Sequence, residues 1–208
     1  MPFYQPPSFV AAPDVGRELA SDFPFATLIT PQPDGTPWIS HLVLLPDPQQ
    51  PDCLLGHLAA ANGHSQAVLQ APSVAIFHGE HDYISPRWYA TPGMVPTWNY
   101  RVAHAHGQAS MVDGAELPAL LRQLAARFEG AEGWNMDTVP EKALAAMQRA
   151  IVGFRLRVAR WEVKEKLSQN RTPQDVAGAV QALQTGSPAQ QQLATRMQAA
   201  ASSRQAGD

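Results

Sequence analysis

The 208-residue chain has a single cysteine, Cys53. This excludes an intrachain disulfide and a cage of thiolate metal ligands drawn from one chain. Charge is sparse and nearly balanced, with 15 Lys+Arg against 18 Asp+Glu and a net charge of −3. Such a balance excludes a broadly basic nucleic-acid surface and leaves only local patches to consider. No apolar run approaches the roughly 20 residues that cross a bilayer. The opening MPFYQPPSFV lacks the charged-then-apolar pattern of a secretory leader. The expectation is a soluble, cytoplasmic protein that does not enter a membrane. Also missing are GxGxxG, a phosphate-binding P-loop and a GxSxG elbow, so a nucleophilic Ser or Cys mechanism has no support.

Proline, by contrast, is abundant. Its 19 copies are nearly double the usual share of about 5 %, and most precede Pro118. Short strands and structured loops are expected there, with helices later. The 45 % hydrophobic content is enough for a core, in one domain or one domain with an appendage.

In chain order, Asp14 suits the start of a short helix to Asp22 with Leu19 buried. FATLIT (Phe25 to Thr30) and WISHLVLL (Trp38 to Leu45) read as strands joined through Asp34-Gly35, a hairpin signal. Period two places Ile39, His41 and Val43 on one face and Ser40, Leu42 and Leu44 on the other. CLLGHLA (Cys53 to Ala59) is a third strand, and Asn62 and Ser65 suit the start of a short helix to Gln70. SVAIFHG is a fourth strand. Val102 to Met111 is a fifth, with Ala103, Ala105, Gly107 and Ala109 on an all-small face against which something bulky must press. Two helices follow, around Leu117 to Phe128 and around Leu144 to Ile151, the second opened by a Thr138/Glu141 capping box. IVGFRLRV alternates Val152, Phe154, Leu156 and Val158 inward. Trp161 and Val163 are out of phase with it, which implies a bulge near Ala159 or Arg160. Helices opened by Asp175 and by Ser187-Pro188 end in a tail expected to be disordered.

Between Phe77 and Gly107 the aromatics Tyr83, Trp88, Tyr89, Trp98 and Tyr100 alternate with Pro86, Pro92 and Pro96. Planar side chains on a fixed backbone suit the wall of a site for a flat ligand; ordinary core packing is the competing reading. Ser40-His41, Gly56-His57 and Asn62 are polar residues on or beside apolar strands and could seat a phosphate, or could be core groups bonded to backbone. His104-x-His106 and His78-x-x-His81 lack a carboxylate or cysteine at a recognised spacing, so no metal site is assigned.

The segments Y-x-P-P-x-F, PFATL, SHL, GHLA-x-AN, YISP-x-WY, VPTWNY, IVGF and KLSQNR occur in an order that resembles the FMN-binding negative transcriptional regulators called PaiB-like. The resemblance runs from about Phe3 to Val180. It implies a mainly β, α+β architecture: a six-stranded antiparallel FMN-binding split barrel over residues 1–172 and a helical extension over 173–208. It further implies a homodimer with FMN at the interface. Position by position, it places Ser40, His41 and Asn62 near the flavin phosphate, beside His57, which the residue types alone single out, and Trp98, Asn99 and Tyr100 on the family's distinctive loop. Lys166, Ser168, Gln169 and Asn170, with Trp161 shortly before them, match the closing motif, whose counterpart in related oxidases faces flavin and substrate. Where the family reads GHLARANP, this chain has Ala60 and Gly63 in place of the arginine and proline. Loss of that arginine predicts weaker FMN binding.

Three functional readings follow: an FMN-binding regulator, a flavin-dependent oxidoreductase of the pyridoxamine-phosphate-oxidase type, and a haem-binding protein with His104 or His106 as ligand. No acid or base stands out, so enzymatic activity stays open. No helix-turn-helix is visible and the only short basic run is Arg155, Arg157 and Arg160, so DNA contact is expected to be weak or indirect.

Overall fold

The computed structural model describes residues 3–112, 114–130 and 133–205, with side chains to 203. Helix α1 (Pro13–Asp22) precedes the hairpin of β1 (Phe25–Pro31) and β2 (Pro37–Val43). Gly35 supplies the turn with φ 87°, and Asp34 accepts the Thr36 amide at 2.9 Å. The remaining elements are β3 (Leu45–Pro46), β4 (Cys53–Ala59), α2 (His64–Gln70), β5 (Ser73–Ile84), β6 (Thr97–Met111), α3 (Leu117–Glu129), α4 (Glu141–Arg149), β7 (Ile151–Lys166), α5 (Pro173–Gln184) and α6 (Pro188–Gln205). The strands form one sheet in the order β2-β1-β5-β6-β7-β4-β3. Hairpin register pairs Ile29 with Ile39 and Thr27 with His41.

Among the described residues, seven strands replace the six expected. The run from Trp38 breaks at Leu44, whose amide turns to Pro24 O at 2.9 Å, and a two-residue strand follows. β5 and β6 are longer than the sequence suggests, because the aromatic segments at Tyr83 and at Trp98 to Tyr100 continue the strands instead of forming loops. The Thr138/Glu141 capping box does not form. Thr138 sits in a 3₁₀ turn and donates to Asn135 O at 2.7 Å, while Pro140 leads directly into α4. β7 is one continuous strand whose buried positions change parity, from Phe154 and Leu156 to Val163. The C-terminal segment stays helical to Gln205; residues 206–208 of the expected disordered tail lie outside the described residues.

The chain divides into two compact units. One comprises Met1–Leu19, His78–Ala103 and Glu162–Asp208. Its core joins Ile84, Tyr89 and Leu167 to Val176, Val180 and Leu183 of α5 and Leu193 and Met197 of α6. The start of α5 is capped by Thr172, which accepts the Asp175 amide at 3.2 Å, and Asp175 itself accepts from Thr91. The other unit comprises Ala20–Phe77 and His104–Trp161. Here the small face of β6 meets backbone: a Cβ on Gly107 would lie 2.2 Å from Arg157 O. The chain itself therefore presses on this face at Gly107.

Candidate functional site

In the unit holding residues 20–77, the turn between β4 and α2 is built on Asn62. Its Oδ1 accepts the His64 amide at 3.0 Å and its Nδ2 donates to Ser40 Oγ at 3.3 Å. Ser40 Oγ lies 2.8 Å from His64 Nδ1, His64 Nε2 lies 2.8 Å from Thr30 Oγ1, and Thr30 Oγ1 lies 2.7 Å from Ser73 Oγ. His64 has no exposed surface, and burial pushes its imidazole below the ordinary value. The ring is therefore neutral, and one nitrogen donates while the other accepts. Trp38 stacks on it with centroids 6.1 Å apart and 20° between planes. A Cβ on Gly63 would come within 2.7 Å of the Trp38 ring, so the proline that the resemblance leads one to expect cannot sit here without moving the indole. Ala60 is exposed. Among the described residues, Ser65 Oγ and His57 Nδ1 are buried and find no hydrogen-bond partner.

Ser40 and Asn62 are thus brought together, but Ser40 and His41 are not. Successive strand residues face opposite ways. Ser40 is buried in the network, whereas His41 is exposed, 3.1 Å from Thr27 Oγ1 and beside the Phe25 ring. Trp161 lies in the same unit with its ring tilted against Phe77 at 6.2 Å. His104 and His106 stand edge to face at 6.4 Å on one side of β6.

In the other unit, the VPTWNY and KLSQNR segments meet. Asn99 is fully buried and donates to Ser168 Oγ at 2.9 Å, with Met197 Sδ at 3.4 Å. Ser168 has φ 67°, the left-handed region that costs a non-glycine residue about 1 kcal/mol or more. The bond from Asn99 helps hold it there. Lys166 Nζ donates to Thr97 Oγ1 and, at 2.9 Å, to Trp98 O. Gln169 folds back, accepting from Leu167 N at 2.7 Å and donating to Glu165 O at 2.6 Å. Asn170 is exposed. Much of this motif pair therefore holds its own backbone in place, a structural role that the residue types alone do not reveal.

Beside this lock lies a face of aromatic and cationic side chains. Trp98 and Tyr83 are 53 % and 42 % exposed and meet edge to face at 6.4 Å. Lys164 is buried, its Nζ about 5.4–5.5 Å over the rings of Phe3, Tyr4 and Tyr100. Arg171 lies over Tyr89 at 5.4 Å. Among the described residues, none of Lys164, Lys166 and Arg171 pairs with a carboxylate. Burial, and then the charges of Lys164 and Arg171, push the Lys166 amine below its ordinary value. Lys164 and Arg171 were not among the residues singled out from sequence. The available signal was the i, i+2 spacing of Lys164 and Lys166 on a strand. Unbalanced cations beside exposed ring faces attract a planar anion.

Comparison with known proteins supplies the family. Residues 3–160 match the one described as "Putative FMN-binding domain". The protease synthase and sporulation protein PAI 2 of Bacillus subtilis is 32 % identical over 181 residues, 84 % of this chain and 86 % of that one. The chain belongs to the PaiB-like FMN-binding family. A protein of Aspergillus fumigatus is 26 % identical to this PaiB-like chain, covering 63 % of it and 66 % of the fungal protein. Among solved structures, the FAD and heme binding protein from Mycobacterium smegmatis superposes with TM-score 0.59 at 18 % identity, over 80 % of this chain and 77 % of that one. The flavocytochrome Anf3 from Azotobacter vinelandii gives TM-score 0.59 at 16 % identity, over 80 % and 73 %. These likenesses carry the fold: the PaiB-like chain is an α+β split barrel. Among the described residues, no helix is long and apolar enough to cross a membrane.

Proposed function

We propose that this PaiB-like protein carries FMN and acts as a cytoplasmic homodimer, a barrel at residues 1–172 with a helical extension at 173–208. Its regulatory output is indirect, without tight binding to DNA. The observation that carries the flavin reading is the pair of exposed rings, Trp98 and Tyr83, with Lys166 donating to the Trp98 carbonyl, and with neither Lys166 nor Arg171 paired to a carboxylate among the described residues. FMN is a planar ring system with a phosphate dianion, so both halves of its chemistry find a complement in these residue types. When bound, FMN would supply redox capacity. The chain's part is to offer a ring surface and to hold the Lys166 ammonium through Thr97 Oγ1 and Trp98 O. The phosphate region that the resemblance names is Ser40, His41 and Asn62, with Ala60 standing where the family has an arginine. The exposed Ala60, and the nearby Ser65 hydroxyl, which has no partner among the described residues, give a separate handle on that assignment. The dimer is supported by the outer face of the β1–β2 hairpin, where Phe25 and Ile39 are 68 % and 55 % exposed.

Titration of the purified protein with FMN, riboflavin and haemin, followed by absorbance and flavin fluorescence, tests the reading. FMN is expected to saturate with higher affinity than riboflavin, and Lys166→Ala to weaken it. Ala60→Arg discriminates between the two phosphate seats: tightening of FMN by about tenfold, the equivalent of one charge-assisted hydrogen bond, assigns the phosphate to the Asn62 turn, and no change assigns it to Lys166 and Arg171. Equal affinity for FMN and riboflavin, or a Soret band with no flavin binding, overturns it.

A further inference from the structure

A cavity of about 270 Å³ lies in the unit of residues 20–77 and 104–161, under the start of α3. Its floor is a small apolar cluster of Leu55 from β4, Val112 after β6 and Leu120 of α3, each no more than 6 % exposed. Its polar wall is Arg155 of β7, with Asp47 and Glu116. The three charged groups differ in how firmly they are held. Asp47 is 4 % exposed, and both its oxygens are engaged: Oδ2 accepts Arg155 Nε at 2.8 Å and Oδ1 accepts the Gln49 amide at 2.9 Å. This part-buried pair fixes the guanidinium through its Nε edge. Glu116 accepts from Arg155 Nη2 at 3.2 Å, and its side chain is 54 % exposed. Among the described residues, Arg155 Nη1 has no hydrogen-bond partner.

From this we infer that the cavity is a site for a small monocarboxylate with an apolar body. The ligand's carboxylate takes the Nη1/Nη2 edge of Arg155, and its hydrocarbon lies on Leu55, Val112 and Leu120. Glu116 currently occupies part of that edge and acts as a displaceable stand-in for the ligand. Geometry and chemistry favour an acid over an amine. The one unpaired group, Nη1, is a donor on a planar fork that matches a carboxylate, and its neighbour Nη2 is held only by the exposed Glu116. The buried acceptor, Asp47, already has a partner on each oxygen. A volume near the lower end of ligand pockets restricts the occupant to a small molecule.

The test uses the full chain with hexanoate, hexylamine and acetate as probes, by calorimetry and by amide chemical shifts around Leu120. Hexanoate is expected to bind saturably, acetate at least tenfold more weakly for want of the apolar contact, and hexylamine not at all. Glu116→Gln removes the competing charge and is expected to tighten hexanoate by three- to tenfold. Leu120→Trp fills the floor and is expected to abolish binding while Arg155 and its Asp47 partner remain. Since Leu120→Trp can also disturb folding, Ala119→Leu serves as a second filling variant, expected to do the same. Binding of hexylamine as tight as that of hexanoate, no effect of Glu116→Gln, or no saturable binding of hexanoate each overturns the inference.

Discussion

Arg101 offers a quantitative test of how this fold tolerates buried charge. It is 2 % exposed, and its guanidinium reaches Glu165 at 2.5 Å, Glu80 at 3.0 Å and Glu18 at 3.2 Å. Arg196 of α6 joins the same carboxylates, meeting Glu18 at 2.7 Å and Glu80 at 2.9 Å. Replacing Arg101 with Met keeps the length and apolar stem but removes the central cation. Breaking a buried pair by deleting one partner costs about 3–5 kcal/mol, because the remaining charge stays desolvated. The lower part of that range applies, since Glu80 retains Arg196 and the Glu165 side chain is 23 % exposed. About 3 kcal/mol in a chain of this size lowers Tm by roughly 6–12 °C. The penalty should also depend on pH. In the native protein, desolvation pushes the Glu80 carboxyl up, but bonds from its own backbone and from Arg196 and Arg101 outweigh it, leaving it below its ordinary value. That pairing stabilises the fold above the unfolded value and is lost as pH falls through the folded one. Without Arg101 desolvation gains weight, so the gap between Arg101→Met and wild type should narrow as pH falls from 7 toward 4.5. Chemical denaturation at several pH values measures this. A loss below about 1 kcal/mol with no pH dependence would refute the assignment of the network as a buried, mutually dependent set.

Two further perturbations address the turn at Asn62. Gly63→Ala forces a methyl to within 2.7 Å of the Trp38 ring and is expected to cost about 1–3 kcal/mol; combining it with Trp38→Leu should recover part of that loss, measured in a double-mutant cycle. His64 is neutral and buried, its imidazole pushed below the ordinary 6.5. Its folded state therefore binds fewer protons than its unfolded state below about pH 6.5, and stability falls as pH drops through that region. His64→Gln should be less stable at pH 7.5 and should lose stability less steeply between pH 6.5 and 5; an unchanged slope in denaturant midpoints would show that His64 does not drive the acid dependence.

Local chemistry was legible in the chain because its causes lie within a few residues. Asp34-Gly35 specified a turn, CLLGHLA a strand from Cys53 to Ala59, and Leu19 the buried side of a first helix, each as the structure has it. Alternation along β2 already implied that Ser40 and His41 face opposite ways, a conflict with any role that needs both on one ligand. The family order of motifs carried the split-barrel architecture. What the chain could not specify locally was the partner of each polar group. Asn99 finds Ser168 across 69 residues and Arg101 finds Glu165 across 64. Which aromatics are buried was equally closed to local reasoning: Tyr89 enters the core with α5 and α6, while Trp98 stays exposed. Both facts depend on which strands become neighbours in the sheet. Hydrogen-bond partners and burial are set by distance in space, and for these residues only the folded sheet sets that distance.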